Sequence, residues 1–261
     1  MPALPRAKKR FGQHFLTDRH YVERIVQAIA PRADDAMVEI GPGTGILTRP
    51  LSSHVDHLHV VEIDRDLAAA LRDEFPPEKL TVHQGDALEF DFGALPAPLR
   101  VVGNLPYNVS TPILFRMAAI AERLRDCTFM LQKEVVERMV AEPATADYGR
   151  LSVMLQYRFE MALALRVPPG AFTPPPKVDS AVVRMRPLGA ARARARDDAL
   201  FTRIVSGAFE QRRKMLRSAV RGLVAPEAFD AAGIDATRRG ETLSVGEFIA
   251  LADAAGATRA G

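Results

Sequence analysis

Residues Glu39–Gly45 read EIGPGTG and residues Asn104–Tyr107 read NLPY. The two segments suit different halves of one reaction. In the first, glycines at positions 41, 43 and 45 follow an apolar run, Met37 to Ile40, so that backbone can pass close to a ligand at a strand end. In the second, an amide, a rigid proline and an aromatic plate follow the apolar run Leu99 to Val102, a set that suits a flat, nitrogen-bearing substrate. Together they suggest methyl transfer to a base amine.

Spacing narrows the ligand. The dinucleotide fingerprint is GxGxxG, whereas GxGxG with an acid two residues ahead (Glu39) is the form associated with S-adenosylmethionine, and no phosphate-loop GK[ST] follows. The strand-like run His59 to Ile63 carries Glu62 about 20 residues beyond the loop, where doubly wound folds use an acid on ribose hydroxyls. After Leu80 to His83, the turn Gly85-Asp86-Ala87 offers a carboxylate to an exocyclic adenine amine. Taken singly, Glu62 and Asp86 read as solvated loop acids and GxGxG as an ordinary tight turn. Their order favours function, because all fall at consecutive strand ends, the rim where open α/β sheets bind ligands.

These residues need a scaffold, and strand and helix patterns alternate to about Glu142, as in a parallel sheet wrapped by helices. Asp18 predicts a capped helix through Ala30 with Tyr21, Ile25 and Ile29 as its apolar stripe, closed by Pro31. Further helices are expected at Gly45–Ser53, Leu67–Phe75, Thr111–Leu124, Glu134–Ala141 and Leu151–Tyr157. Strands are expected at Thr128–Leu131, Phe159–Val167 and Ala181–Met185. From Gly189 the composition shifts to Ala and Arg, and helices follow at Leu200–Leu216, Pro226–Ala232 and Val245–Ala254, the last capped by Ser244. The expected fold class is α/β, a Rossmann-like class I S-adenosylmethionine-dependent methyltransferase sheet with a small all-helical C-terminal domain. The expected domains are 1–188, with cofactor site and basic arm, and 189–261, helical and RNA-binding.

A chain of 261 residues with 48% hydrophobic and 26% charged content can bury one sizeable core plus a small unit. The single Cys127 excludes an intrachain disulfide and a cysteine-built metal site, and reads as a buried strand residue. The six histidines lack metal-ligand spacing, and His54, His57 and His59 read as surface or strand residues, so no metal is expected. No run approaches the roughly 20 apolar residues of a membrane span. The start, MPALPRAKKRFGQHFL, lacks a secretory core, which makes the cytoplasm the expected compartment. The net charge of +3 is uneven: Arg184–Arg221 carries eleven basic and three acidic residues, and Arg6, Lys8, Lys9 and Arg10 form a second cluster. Beside an adenosine site, such patches suit an anionic partner such as nucleic acid; the alternative is a solvated helix face.

The sequence resembles the bacterial dimethyladenosine transferases of small-subunit ribosomal RNA along nearly its whole length. The carrying motifs, in order, are KKRFGQHFL (8–16), EIGPGTG, VVEID (60–64), GDAL (85–88), GNLPYNVSTPIL (103–114), MLQKEVVERM (130–139) and FTPPPKVDSAVV (172–183). The resemblance implies S-adenosylmethionine as cofactor, held by His14, Leu16, Gly41, Glu62, Asp86 and Asn104, with Gly43 in the same loop. Asn often stands in the family where this chain has His14, which changes the donor geometry of that contact. The resemblance also implies a partner, 16S rRNA within the immature small ribosomal subunit, a monomeric enzyme without membrane association, and a role in late subunit assembly. Acceptors at Asn104 Oδ1 and the Leu105 or Pro106 carbonyl are suited to taking the N6 hydrogens of adenine beside Tyr107. The resemblance adds Phe172 as a second plate for an extruded base; otherwise Tyr107 and Phe172 are core aromatics. Rival readings are an erythromycin-resistance type enzyme acting on 23S rRNA and a factor whose main task is subunit assembly.

Overall fold

Runs of Val, Ile and Leu bounded by turns build the central sheet of the computed structural model, which describes residues 14–189 and 192–260. The chain divides into two units, Met1–Val136 with Glu160–Pro187, and Glu137–Phe159 with Leu188–Gly261.

The first unit begins with β1 (Phe15–Leu16) and α1 (Arg19–Ile29). It continues through β2 (Ala36–Ile40), α2 (Thr48–Ser52), β3 (Leu58–Glu62), α3 (Arg65–Glu74) and β4 (Leu80–Gln84). After these come β5 (Leu99–Asn104), α4 (Ser110–Ala119), β6 (Leu124–Gln132) and α5 (Lys133–Val140), which runs into the second unit with α6 (Arg150–Gln156). The sheet is completed by β7 (Phe159–Val167) and β9 (Ser180–Pro187), while β8 (Phe172–Thr173) pairs antiparallel with β1 in a separate ribbon. The order β4-β3-β2-β5-β6-β9-β7 is parallel from β4 to β6, and β9 runs antiparallel to β6. The chain winds outward from β2 to β4 and returns to β5 on the other side of β2. The loops after β2 and β5 therefore part, which creates the crevice where such sheets bind ligands. EIGPGTG leaves β2 and NLPY leaves β5, with Glu39 opposite both Val60 and Val102 in register.

At the other end of the sheet, Arg100 is buried near the start of β5. Its guanidinium donates to Asp35 at 2.6 Å, to both Asp126 oxygens at 2.9 Å, and to the carbonyls of Ile29 and Ala30 at 2.5 and 3.0 Å. It thus satisfies the orphan carbonyls at the end of α1 while neutralising two buried carboxylates. Asp18 caps the start of α1 by accepting from His20 N at 2.9 Å, and Val22, Ile25, Val26 and Ile29 form the buried stripe.

Three expected helices are shorter than their apolar pattern suggested; the one expected at Thr111–Leu124 ends at Ala119, followed by a separate turn at Ala121–Arg123 before Leu124 opens β6. Residues 45–47 form a turn and α2 starts at Thr48, because Gly45 takes a left-handed φ of +79° that a helix does not accommodate. The expected Leu200–Leu216 helix is interrupted. After α7 (Asp198–Glu210), capped by Asp197, the exposed polar run Gln211–Lys214 leaves the helix, and α8 (Leu216–Ala219) restarts where Leu216 N donates to Arg238 O at 2.7 Å. The second unit continues with α9 (Pro226–Ala231) and α10 (Val245–Ala260), the latter opened by a reciprocal Ser244–Glu247 capping box.

This unit recruits 137–159 in addition to its C-terminal helices. Tyr157 stacks on Phe201 with centroids 4.1 Å apart and accepts from Ala195 N at 3.0 Å, and Tyr148 donates to Leu243 O at 2.8 Å. Composition changes only after 188, so the sequence pattern carried no sign of this second contribution.

Candidate active site

The glycine loop is fixed by neighbouring strands. Gly41 N donates to Val61 O at 2.9 Å, and Gly43 N donates to Glu62 Oε2 at 3.0 Å, at φ values of +67° and +58° that favour glycine. Glu62, at the end of β3, also accepts from Asp64 N at 2.8 Å through Oε1. Burial raises its carboxyl above the ordinary range, against the lowering effect of those two N–H groups. Glu39 is 1% exposed and accepts from the Thr48 hydroxyl at 2.7 Å. Burial pushes its carboxyl up to about 7, opposed by the Thr48 bond and reinforced by Glu62. Asp86 begins the turn after β4 and accepts from Leu88 N at 2.8 Å.

Asn104 ends β5, and its Nδ2 donates to the His14 carbonyl at 3.3 Å, which leaves Oδ1 as the acceptor of that amide. Leu105 N donates to Met130 O at 3.1 Å and the Ser110 hydroxyl donates to Tyr107 O at 3.1 Å, anchoring the NLPY turn at both ends. The Tyr107 and Ser180 hydroxyls lie 3.1 Å apart. The His14 ring stacks on Tyr107, with centroids 5.6 Å apart and planes inclined by 27°. A carbonyl can only accept, so the 2.9 Å contact to Pro174 O puts a proton on His14 Nδ1.

One cleft gathers His14, Leu16, Gly41, Gly43, Glu62, Asp86, Asn104, Leu105, Pro106 and Tyr107 on its walls. Phe172 is not among them. It sits opposite Leu16 in the β1–β8 ribbon, is 3% exposed, and packs in the core with Leu16, Val167 and Ala171. The expected second plate is thus a core aromatic in this conformation, and the ring against Tyr107 is His14. Sequence reading also passed over Ile63, which stands 49% exposed on the cleft wall directly after Glu62. An apolar residue at the strand end beside the acid was the available signal.

Outside the cleft, His57, His59 and His83 form a contact series along β3 and β4, and burial with the neighbouring histidines pushes His59 down to about 4. Among the described residues no group of side chains is arranged to hold a metal ion. Cys127 is fully buried in β6, where burial raises its thiol well above the ordinary value and keeps it inert. Of the basic segment, Arg184 is paired with Asp126 at 2.7 Å and Arg212 with Glu241 at 2.5 Å, while Arg213, Lys214, Arg217 and Arg221 are exposed. The cluster Arg6, Lys8, Lys9 and Arg10 lies outside the described residues. No described helix is long and apolar enough to cross a membrane.

Comparison with known proteins adds an independent line. A family model described as "Ribosomal RNA adenine dimethylase" matches residues 5–255. The ribosomal RNA small subunit methyltransferase A of Aromatoleum aromaticum is 59% identical over 246 residues, covering 94% of this chain and 93% of that protein. The protein of the same name from Thiobacillus denitrificans is 59% identical over 244 residues, covering 94% and 96%. Among solved structures, a dimethyladenosine transferase from Plasmodium falciparum shares the fold at a TM-score of 0.77 and 23% identity, covering 91% of this chain and 96% of that one. The 23S rRNA methyltransferase ErmE superposes at a TM-score of 0.69 and 27% identity, covering 92% and 98%.

Proposed function

The chain belongs to the ribosomal RNA adenine dimethylase family, and from that premise we propose that it transfers methyl groups from S-adenosylmethionine to N6 of two adjacent adenosines near the 3′ end of 16S rRNA. The product is N6,N6-dimethyladenosine, made by a monomeric enzyme on the immature small subunit in the cytoplasm. One observation carries the reading: the glycine loop and the NLPY turn line one cleft at the point where the strand order reverses, so that a cofactor on the first and a base amine on the second would face each other across it.

The residues fit the cofactor. Glu62 and Asp86 offer carboxylates suited to ribose hydroxyls and the adenine amine, and exposed Ile63 offers an apolar face to the purine ring. Gly43, at a φ of +58° that favours glycine, lets the loop backbone approach a ligand without a side chain between them. The cofactor supplies an already electrophilic methyl on a sulfonium, so the protein needs positioning more than a strong base. Asn104 Oδ1 and the Leu105 or Pro106 carbonyl accept the N6 hydrogens and turn the nitrogen lone pair out of conjugation with the ring. Tyr107 supplies a flat face for the extruded adenine. Phe172 can join it only by leaving the core, a movement that would have to accompany RNA binding.

The similarity to ErmE supports a second reading, methylation of 23S rRNA, but the 59% identity to small-subunit enzymes over 94% of the chain outweighs 27%. The test is incubation with labelled S-adenosylmethionine and undermethylated small subunits, large subunits or naked RNA, followed by nucleoside digestion and site mapping. Dimethyladenosine at adjacent sites in the small subunit is the expected result. Label confined to large-subunit RNA, or absent throughout, would overturn it. A variant that binds and matures subunits without transferring methyl would instead give weight to an assembly role.

A further inference from the structure

We infer that Ser180 is a positioning residue for methyl transfer, its buried hydroxyl holding the Tyr107 ring at the tilt that a target base lies against. The inference rests on the base site proposed at Asn104–Tyr107 and adds a residue from a distant part of the chain.

The NLPY turn fixes the Tyr107 backbone through bonds at Leu105 and Ser110, but those bonds leave the two side-chain torsions of Tyr107 open. The polar atom at the far end of the ring is the hydroxyl. It lies 3.1 Å from Ser180 Oγ, on a residue 73 positions away that opens β9 and is 1% exposed. Ser180 itself cannot drift, because it is held in register opposite Gln132 of β6, and Lys133 N donates to the adjacent Asp179 O at 2.9 Å. The ring is therefore tied to the sheet at one end and to the turn at the other. Burial raises the Tyr107 phenol above its ordinary value, so the hydroxyl stays protonated and serves as an anchor rather than an acid. A plate used for stacking works through the direction of its face. A rigid sheet strand is a better reference for that direction than a turn.

The test is a double-mutant cycle. Parent, Ser180→Ala, Tyr107→Phe and the double variant are compared for single-turnover methylation of undermethylated small subunits at saturating cofactor and RNA. Each single change is expected to lower the rate about two- to tenfold, the equivalent of one net hydrogen bond, and the double to fall no further than the worse single. Affinity for S-adenosylmethionine, read by calorimetry, should stay within about twofold, which a general loss of structure would not allow. The chain has no Trp and four Tyr, so tyrosine emission should also change in Ser180→Ala. If Ser180→Ala loses thermal stability and cofactor affinity along with rate, Ser180→Thr decides: recovered rate supports positioning, and a rate as low as that of the alanine variant overturns it. A parental rate in Ser180→Ala, or losses that multiply in the double variant, overturns the inference while leaving the proposed function standing. An inactive parent would overturn both.

Discussion

Replacing Gly103 by alanine tests how closely the two halves of the cleft are built together. A Cβ at Gly103 would lie 2.4 Å from the carbonyl oxygen of Ile40 and 3.3 Å from its carbon, with Leu105 Cδ2 also at 3.3 Å. The nearest atom is backbone of β2, so no rotamer change relieves the contact. One strand end must move by at least about 0.6 Å to reach 3.0 Å, the floor for real Cβ contacts. Overpacking of this kind costs about 1–3 kcal/mol, and the absence of a flexible neighbour puts Gly103→Ala in the upper half of that range. For a chain of this size the midpoint of thermal unfolding should fall by about 4–12 °C. The movement also separates Gly41 from Asn104, so affinity for S-adenosylmethionine and methyl transfer should both drop. Gly43→Ala is the internal comparison: its Cβ would meet only the Phe15 ring, at 3.4 Å, and the cost is the left-handed φ of +58°, about 1–2 kcal/mol. Thermal unfolding and titration calorimetry on both variants make the measurement. Equal or reversed destabilisation, or a Gly103→Ala protein with parental affinity, would refute the close approach of β2 and β5 as the organiser of the cleft.

Tyr107→Ala should lower methyl transfer about tenfold to a hundredfold with cofactor affinity kept, whereas Phe172→Ala should chiefly lose stability, by about 3–5 kcal/mol, because its ring fills the core. A fully stable but inactive Phe172→Ala protein would restore that residue to the base site. The Glu39 carboxyl titrates near 7 when folded against 4.5 ordinarily, so its contribution to stability is present below about pH 4.5 and is lost as pH rises through 7, by on the order of 3 kcal/mol. Glu39→Gln should flatten that stretch of a melting-temperature series against pH, and an unchanged slope would count against the buried acid. Replacing Arg212, Arg213 and Lys214 by Ala should reduce the salt slope of RNA or subunit binding by about two charges rather than three, since Arg212 is already paired with Glu241. A slope equal to the parent's would make the patch a solvated helix face.

The parallel strands β2, β3 and β5 were legible because their Val-, Ile- and Leu-rich runs are cut off by Gly41, Asp64 and the Gly103-Asn104 pair. The glycine-loop side of the cleft was legible for a similar reason: Glu39 and Glu62 lie at the ends of β2 and β3, and Asp86 lies in the turn just after β4. Phe172 was not, because the direction of its ring depends on the pairing of two-residue strands, Phe15 with Thr173 and Leu16 with Phe172, too short to leave a periodic trace. Likewise the hydroxyl pair Tyr107–Ser180 joins positions 73 apart and has no local signature. The break after α7 could have been read from QRRK (211–214), four polar residues where a helix would need an apolar face. Its pattern was masked by Met215 and Leu216, which continue the apolar spacing on paper.

The second unit is entered by the chain twice, and that makes deletion analysis misleading. Removing everything after position 188 takes away the Leu243 carbonyl that receives the Tyr148 hydroxyl proton and the Phe201 ring that covers Tyr157. Tyr148 and Tyr157, both buried in the intact protein, would then face water together with Val153, an apolar patch that invites aggregation. Inactivity of such a fragment reports a stranded helix pair rather than a lost RNA contact. Shuffling of this unit between homologous proteins would have to exchange 137–159 and 188–261 as a set.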